Sequence, residues 1–105
     1  MNQKYEITDI VHPQYPWLHR IRALRDVRED VHAGDLGGFV QSEENLSQEG
    51  QCWVANNAVA AEESYISGDA IMWDYSCARG CAVISGKSRI GGEAIIEDHA
   101  IVTSR

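Results

Sequence analysis

The chain of 105 residues is short of several things at once: two prolines, one phenylalanine, three cysteines and nine basic residues against sixteen acidic ones. No apolar run approaches the length of a membrane-spanning helix. The opening "MNQKYEITDI" lacks the basic-then-apolar order of a secretory leader, so the expectation is a cytoplasmic protein without a membrane partner. A net charge of −7 argues against direct binding to nucleic acid, which would call for a basic surface, and suits a basic protein partner instead. Cys52, Cys77 and Cys81 are odd in number and form no zinc-type CxxC pair, so reduced thiols are expected rather than a disulfide framework. The Asn45-Leu46-Ser47 acceptor triplet carries no meaning without secretion. What remains is one small domain with a globular share of apolar residues, 44%.

Against that background one pattern stands out. Every sixth residue from Val54 is apolar: Val54, Ala60, Ile66, Met72, Ala78, Ile84, Ile90, Ile96 and Val102. Four places after each of the first eight comes Ala or Ser, namely Ala58, Ser64, Ala70, Ser76, Ala82, Ser88, Ala94 and Ala100. Two places after each comes Asn56, Glu62, Gly68, Asp74, Gly80, Gly86, Gly92 or Asp98, mostly turn formers. A period of six drifts out of register on a helix, and interior glycines would cost it about 1 kcal/mol each. Ordinary hairpins need strands longer than three or four residues. A parallel β-helix satisfies all three slots: the aliphatic points inward, the turn former bends the chain, and the small residue fits where there is no room for bulk.

This pattern resembles the hexapeptide-repeat proteins, whose coils wind as a left-handed parallel β-helix. The resemblance covers about residues 36–102 and implies an all-β fold of three to four triangular coils. Residues 1–35 are read as an N-terminal β-hairpin cap, with "KYEITDI" and "LHRIRALRD" as strands separated by the proline-broken "VHPQYPW", and residues 36–105 as the repeat. The hexad phase is traced back through Leu36, Gly38 and Val40, with irregular first units. The stretch "RIRALRD…AGDLGGFVQSEENLSQEGQCWV" is similar to the opening of short phage and prophage hexapeptide-repeat proteins.

The residue before each inward slot should face out. That gives three stripes: Trp53, Ile71 and Arg89; Val59, Cys77 and Ile95; Tyr65, Val83 and Ile101. Two of these are apolar stripes, and a cap of 35 residues can hardly cover both, so at least one is expected to be a protein interface, most simply between copies of this chain as a dimer or trimer. Tyr65, Val83 and Ile101 are the candidate interface, with Trp73 and Tyr75 as aromatic anchors. On the second face the inward slots Ala60, Ala78 and Ile96 leave little bulk. Either Met72 reaches across, or the register slips and Val59, Cys77 and Ile95 turn inward; the constant phase favours Met72.

Arg20, Arg22, Arg25 and Arg28 form the one basic cluster, either a solvated face pairing with Glu29, Asp30 or Asp35, or a site for an anionic partner. "GDLGG" at 34–38 reads as a tight turn, since neither the Lys nor the helix of a phosphate loop follows it. Glu63, Cys81 and His99 stack at one corner; a line of ligands suits a metal poorly, so no metal or cofactor is expected. Ser67, Ser85 and Thr103 form a hydroxyl ladder that cross-strand pairing explains.

For function, the resemblance admits an acyltransferase that uses acyl-CoA, with a histidine as general base. Only His99 of the four histidines lies in the repeat, and no long loop interrupts the hexads. The favoured expectation is therefore no enzyme and no catalytic residues, but a non-enzymatic protein-binding tube, phage-encoded and anti-CRISPR-like, gripping a host defence effector. A virion or scaffold component is the third alternative.

Overall fold

A computed structural model describes residues 3–104. The hexads build a left-handed parallel β-helix of about four turns. Its rungs are short strands. One face holds β4 (Trp53–Val54), β7 (Ile71–Met72) and β10 (Arg89–Ile90). A second holds β5 (Val59–Ala60), β8 (Cys77–Ala78) and β11 (Ile95–Ile96), and a third β6 (Tyr65–Ile66), β9 (Val83–Gly86) and β12 (Ile101–Ser104). These are faces 1, 2 and 3 below. Pairing runs at a stagger of eighteen, as in Ile66 against Ile84 and Val102 against Ile84.

Each slot does what its side chain allows. Ile66, Met72 and Ile84 are fully buried in the bore, and Val102 packs partly buried against the same core. Ala60 and Ala78 are buried too, while Ile95 on the same face is 53% exposed, so the register does not slip and Met72 fills the bore beside the alanines. All eight turn-slot residues take positive φ, between 56° and 67°, including the non-glycines Asn56, Glu62, Asp74 and Asp98. That left-handed bend is the reason glycine, Asn and Asp recur there. Buried small-slot serines bond within their own corner: Ser64, Ser76 and Ser88 donate their hydroxyls to the carbonyls three residues back, at 2.8, 2.9 and 2.7 Å. A buried hydroxyl is thereby satisfied without bulk.

The first turn departs from the extrapolated phase. β3 (Leu36–Val40) pairs parallel with β5 so that Val40 meets Ala60, and Leu46 bridges to Ile66, a stagger of twenty. Val40 and Leu46 therefore hold the inward slots, both fully buried, whereas Leu36 is 48% exposed. Gly38 takes the small slot because any Cβ there would strike the Ala58 carbonyl. Two extra residues before Gly50 are absorbed by a turn from Glu43 to Asn45, whose Ser42 N-cap accepts from the Glu44 N–H. Asn45 itself is buried: its carbonyl oxygen accepts from the Gln41 and Ser42 N–H groups, and its amide donates to the Glu62 and Ser64 carbonyls. The acceptor triplet is a structural staple.

The cap extends face 2. β1 (Tyr5–Val11) and β2 (His19–Ala23) form an antiparallel hairpin, and β2 pairs antiparallel with β3, giving a six-stranded sheet in the order β1-β2-β3-β5-β8-β11. Its side chains answer groups that have no turn above them. Further along, the Ala70 and Gly68 carbonyls accept from N–H groups of the preceding turn, Trp53 and Cys52. At the equivalent places one turn earlier, the Cys52 and Gly50 carbonyls accept from Lys4 Nζ at 2.8 and 3.5 Å; nearby, the Glu49 carbonyl accepts from the same group at 3.2 Å and the Leu46 carbonyl from the Tyr5 hydroxyl at 2.6 Å. Lys4 is fully buried, and burial pulls its pKa down. Burial likewise pushes the Tyr5 phenol up, so it stays a donor.

Candidate functional site

Two loops hang from the hairpin, and each roofs a cleft. The loop after β2 lays Val27 and Val31, both buried, against Trp53 on face 1. The loop between β1 and β2 lays buried Leu18 against Phe39, Ala61 and Val59 on face 2. One cap thus reaches the first turn of faces 1 and 2 and leaves face 3 and the far end of face 2 uncovered, with Ile95 and Ile101 exposed. Residues 12–18 suffice for face 2, which the hairpin extends, and residues 24–35 reach round to face 1.

The face-2 cleft has a volume of about 690 Å³. Its roof is built by the "VHPQYPW" segment, closed by a hydrogen bond from the His12 N–H to the Leu18 carbonyl at 2.8 Å. His12 stacks edge-on to Phe39 with ring centres 4.7 Å apart, Tyr15 lies 5.0 Å from His12, and Trp17 lies 5.5 Å from Tyr15. Tyr15 and Trp17 remain 45% and 55% exposed, large aromatics presented to the opening and not spent on the core. His12 Nδ1 accepts the N–H groups of Gln14 and Tyr15 at 3.1 and 3.3 Å. The neutral ring must then carry its proton on Nε2, which makes His12 a hydrogen-bond donor. The floor is Val59, Cys77 and Ile95, with Tyr75 and Glu93 on the wall. Burial pushes the Cys77 thiol up, which favours the neutral, weakly polar form on the cleft floor. Arg79 at the rim is held by Glu97 at 2.9 Å.

The face-1 cleft is smaller, about 530 Å³, with Asp30 and Asp35 among its walls. Arg89 lies over the Trp73 ring at 5.9 Å, and Trp73 rests on Gly91, where a Cβ would collide with the indole.

The structure separates the residues singled out from sequence. Tyr65, Val83 and Ile101 align on face 3 in paired register. Trp73 lines the face-1 cleft and Tyr75 the face-2 cleft, so the two aromatics sit on different sides. The arginines fasten the cap. Arg20 donates to the Gly37 and Asn56 carbonyls and to Asn57 Oδ1, and lies 4.3 Å over Phe39. Arg28 donates to the Gln51 and Asp69 carbonyls, and Arg22 pairs with Glu6 at 3.2 Å. Arg25 is exposed. None of the ion pairs among the described residues joins an arginine to Glu29, Asp30 or Asp35. At the corner of Glu63, Cys81 and His99, the Cys81 thiol donates to Glu63 at 3.1 Å, and that bond raises its pKa. Among the described residues no cluster has the makeup of a metal site. No helix among them is long and apolar enough to cross a membrane.

The aromatic roof over face 2 is what sequence reasoning missed. Its signal was present in "VHPQYPW": one histidine, two prolines and two aromatics within seven residues, too many rigid rings for a mere strand break.

No family profile matches the chain. Over 80 residues, 75% of this chain, it is 36% identical to a protein described as Uncharacterized acetyltransferase YdcK of Escherichia coli (strain K12). Those residues make up 19% of that protein, so the chain spans about a fifth of the length of the relative it matches. This overturns the expectation of no enzyme: the sparse histidines and uninterrupted hexads were weighed against catalysis, yet a relative described as an acetyltransferase shares the sequence over most of the chain. Nothing in the fold or the match carries a phage origin or a defence-inhibitor role. The chain is a hexapeptide-repeat β-helix, similar over three quarters of its length to one part of an acetyltransferase.

Proposed function

We propose that this chain serves acyl transfer from an acyl-CoA thioester, with the face-2 cleft as the site. The observation that carries the reading is the 36% identity over 80 residues to a protein described as an acetyltransferase. The cleft suits the task. Its apolar floor and ring-lined roof shelter an acyl group and the thin arm that carries it, and excluding water protects a thioester from hydrolysis. As an amine or hydroxyl attacks the thioester carbon, negative charge gathers on the carbonyl oxygen before the thiolate leaves. The His12 Nε2–H is the donor that meets that charge, held in the required tautomer by the two N–H groups on Nδ1. This replaces the general-base role expected of a histidine. The proton of the attacking group passes to the carboxylate of Glu93 on the cleft wall.

The test is thermal unfolding with acetyl-CoA, together with release of the CoA thiol in the presence of small amines. At ten times Kd the ligand adds about 1.4 kcal/mol, a rise of about 5–10 °C for a domain of this size. Trp17→Ala should abolish most of that rise, and His12→Ala should slow thiol release about 100-fold. Absence of any saturable shift with acetyl-CoA would overturn the reading.

A further inference from the structure

The face-1 cleft takes no part in the proposed acyl transfer, yet charges of both signs line it without partners. Among the described residues, none of the ion pairs engages Asp30, Asp35 or Arg89, although all three border the same space of about 530 Å³. The two carboxylates come from the loop after β2 and stand on fixed backbone. Asp30 lies in a tight turn, closed by the Val31 N–H on the Arg28 carbonyl at 3.0 Å and the Val27 N–H on the Val31 carbonyl at 2.9 Å. One Asp35 oxygen accepts the His32 N–H at 2.9 Å, which orients that carboxylate. Arg89 stands at the other end, two rungs from Trp53 through Ile71 in paired register, with its guanidinium 5.9 Å from the Trp73 ring centre. Between the charged ends the wall is apolar: Leu36, Ile71 and the Trp73 indole, which is seated on Gly91 where no Cβ would fit.

We propose that the face-1 cleft binds a zwitterion of dipeptide length with free termini, its ammonium toward Asp30 and Asp35 and its carboxylate on Arg89. A pure cation would meet the unpaired guanidinium, and a pure anion would meet both carboxylates. Only a ligand that carries both signs answers each end. Length narrows the class further. Rungs about 4.8 Å apart put the Trp53 and Arg89 backbones about 10 Å from each other, too far for the adjacent charges of a free amino acid. Two extended residues span about 7 Å, and the acidic and guanidinium side chains close the remainder. A guanidinium takes a carboxylate bidentately, and the Trp73 ring behind Arg89 helps to hold that fork in place. The ligand's apolar side chain then lies on Ile71 and Leu36.

The test is a titration of isotope-labelled protein with alanyl-leucine, followed by backbone and indole N–H resonances. Saturable shifts are expected at the Trp73 indole and across residues 30–36, with none at Trp17, and with Kd on the order of 1 mM for so small a ligand. N-acetyl-alanyl-leucine and alanyl-leucine amide each lack one charge and should bind at least ~10-fold more weakly. Arg89→Gln should abolish the preference for the free acid over the amide and keep the preference for the free amine. The double variant Asp30→Asn, Asp35→Asn should do the reverse. All three positions are exposed, so these variants leave the core intact. No saturable shift, shifts confined to Trp17, capped peptides that bind as well as the free one, or a charge preference that survives its matching variant would each overturn the proposal.

Discussion

The first and last turns of the solenoid are made of the same slots and end in opposite conditions. At the first, Val40, Leu46 and Val54 are fully buried, and side chains of Lys4, Tyr5, Arg20 and Arg28 satisfy carbonyls at the edge. At the last, the inward residues Ile90, Ile96 and Val102 are only partly buried, and Ala94, which holds a small slot, is exposed. A hexad therefore does not bury its own aliphatic; the turns on either side do. The cap supplies that neighbour at one end, and the same hairpin hangs the aromatic loop that makes the face-2 cleft. Seal and candidate site are one element, which ties stability at that end to function.

Removing a methyl-rich side chain should expose the contrast most strongly. Ile66→Ala is expected to cost about 3–4 kcal/mol and Ile96→Ala about 1–2 kcal/mol, read from urea midpoints at constant m-value. Equal losses would break the comparison. Next in size is Lys4→Met, which leaves buried carbonyls without a donor and should cost about 2 kcal/mol. The sign of its pH dependence is fixed by the lowered pKa. Between the folded value and 10.5 the unfolded chain holds the proton more tightly, so wild-type stability rises with pH across that window and falls back as pH drops through the folded value. Repeating the wild-type and Lys4→Met comparison at neutral and alkaline pH should show the wild type gaining. Thiol labelling tests the same contrast: Cys77 and Cys81 should react more slowly than a free thiol at neutral pH, with rates that still rise with pH beyond 9.0, and buried Cys52 should react only on unfolding. The smallest effect belongs to Asp98→Gly, which relieves a φ of 61° and should stabilise by less than about 1 kcal/mol.

Much of the tube was legible because its three slots obey different constraints at one period. Asn56, Glu62, Asp74 and Asp98 share a slot with four glycines, and only the left-handed bend accounts for that company. The first turn was harder to read. Leu36, Gly38 and Val40 fit a six-residue phase in either of two offsets, and the choice is made by Gly38 against the Ala58 carbonyl, a contact between residues twenty apart. Lys4 gave no signal at all, since a lysine near a strand start is ordinary until a row of unanswered carbonyls lies beneath it. The cleft was hidden for a similar reason. His12 acquires its donor tautomer from a loop conformation that periodicity does not encode.

The claim that the cap seals the first turn, and that burial falls away toward Ile90, Ile96 and Val102, is tested most directly by amide hydrogen exchange resolved along the chain. Protection should be greatest from Val54 to Ile66 and fall turn by turn to its lowest from Ile90 to Val102. Uniform protection along the turns, or a first turn that exchanges before the last, would contradict it.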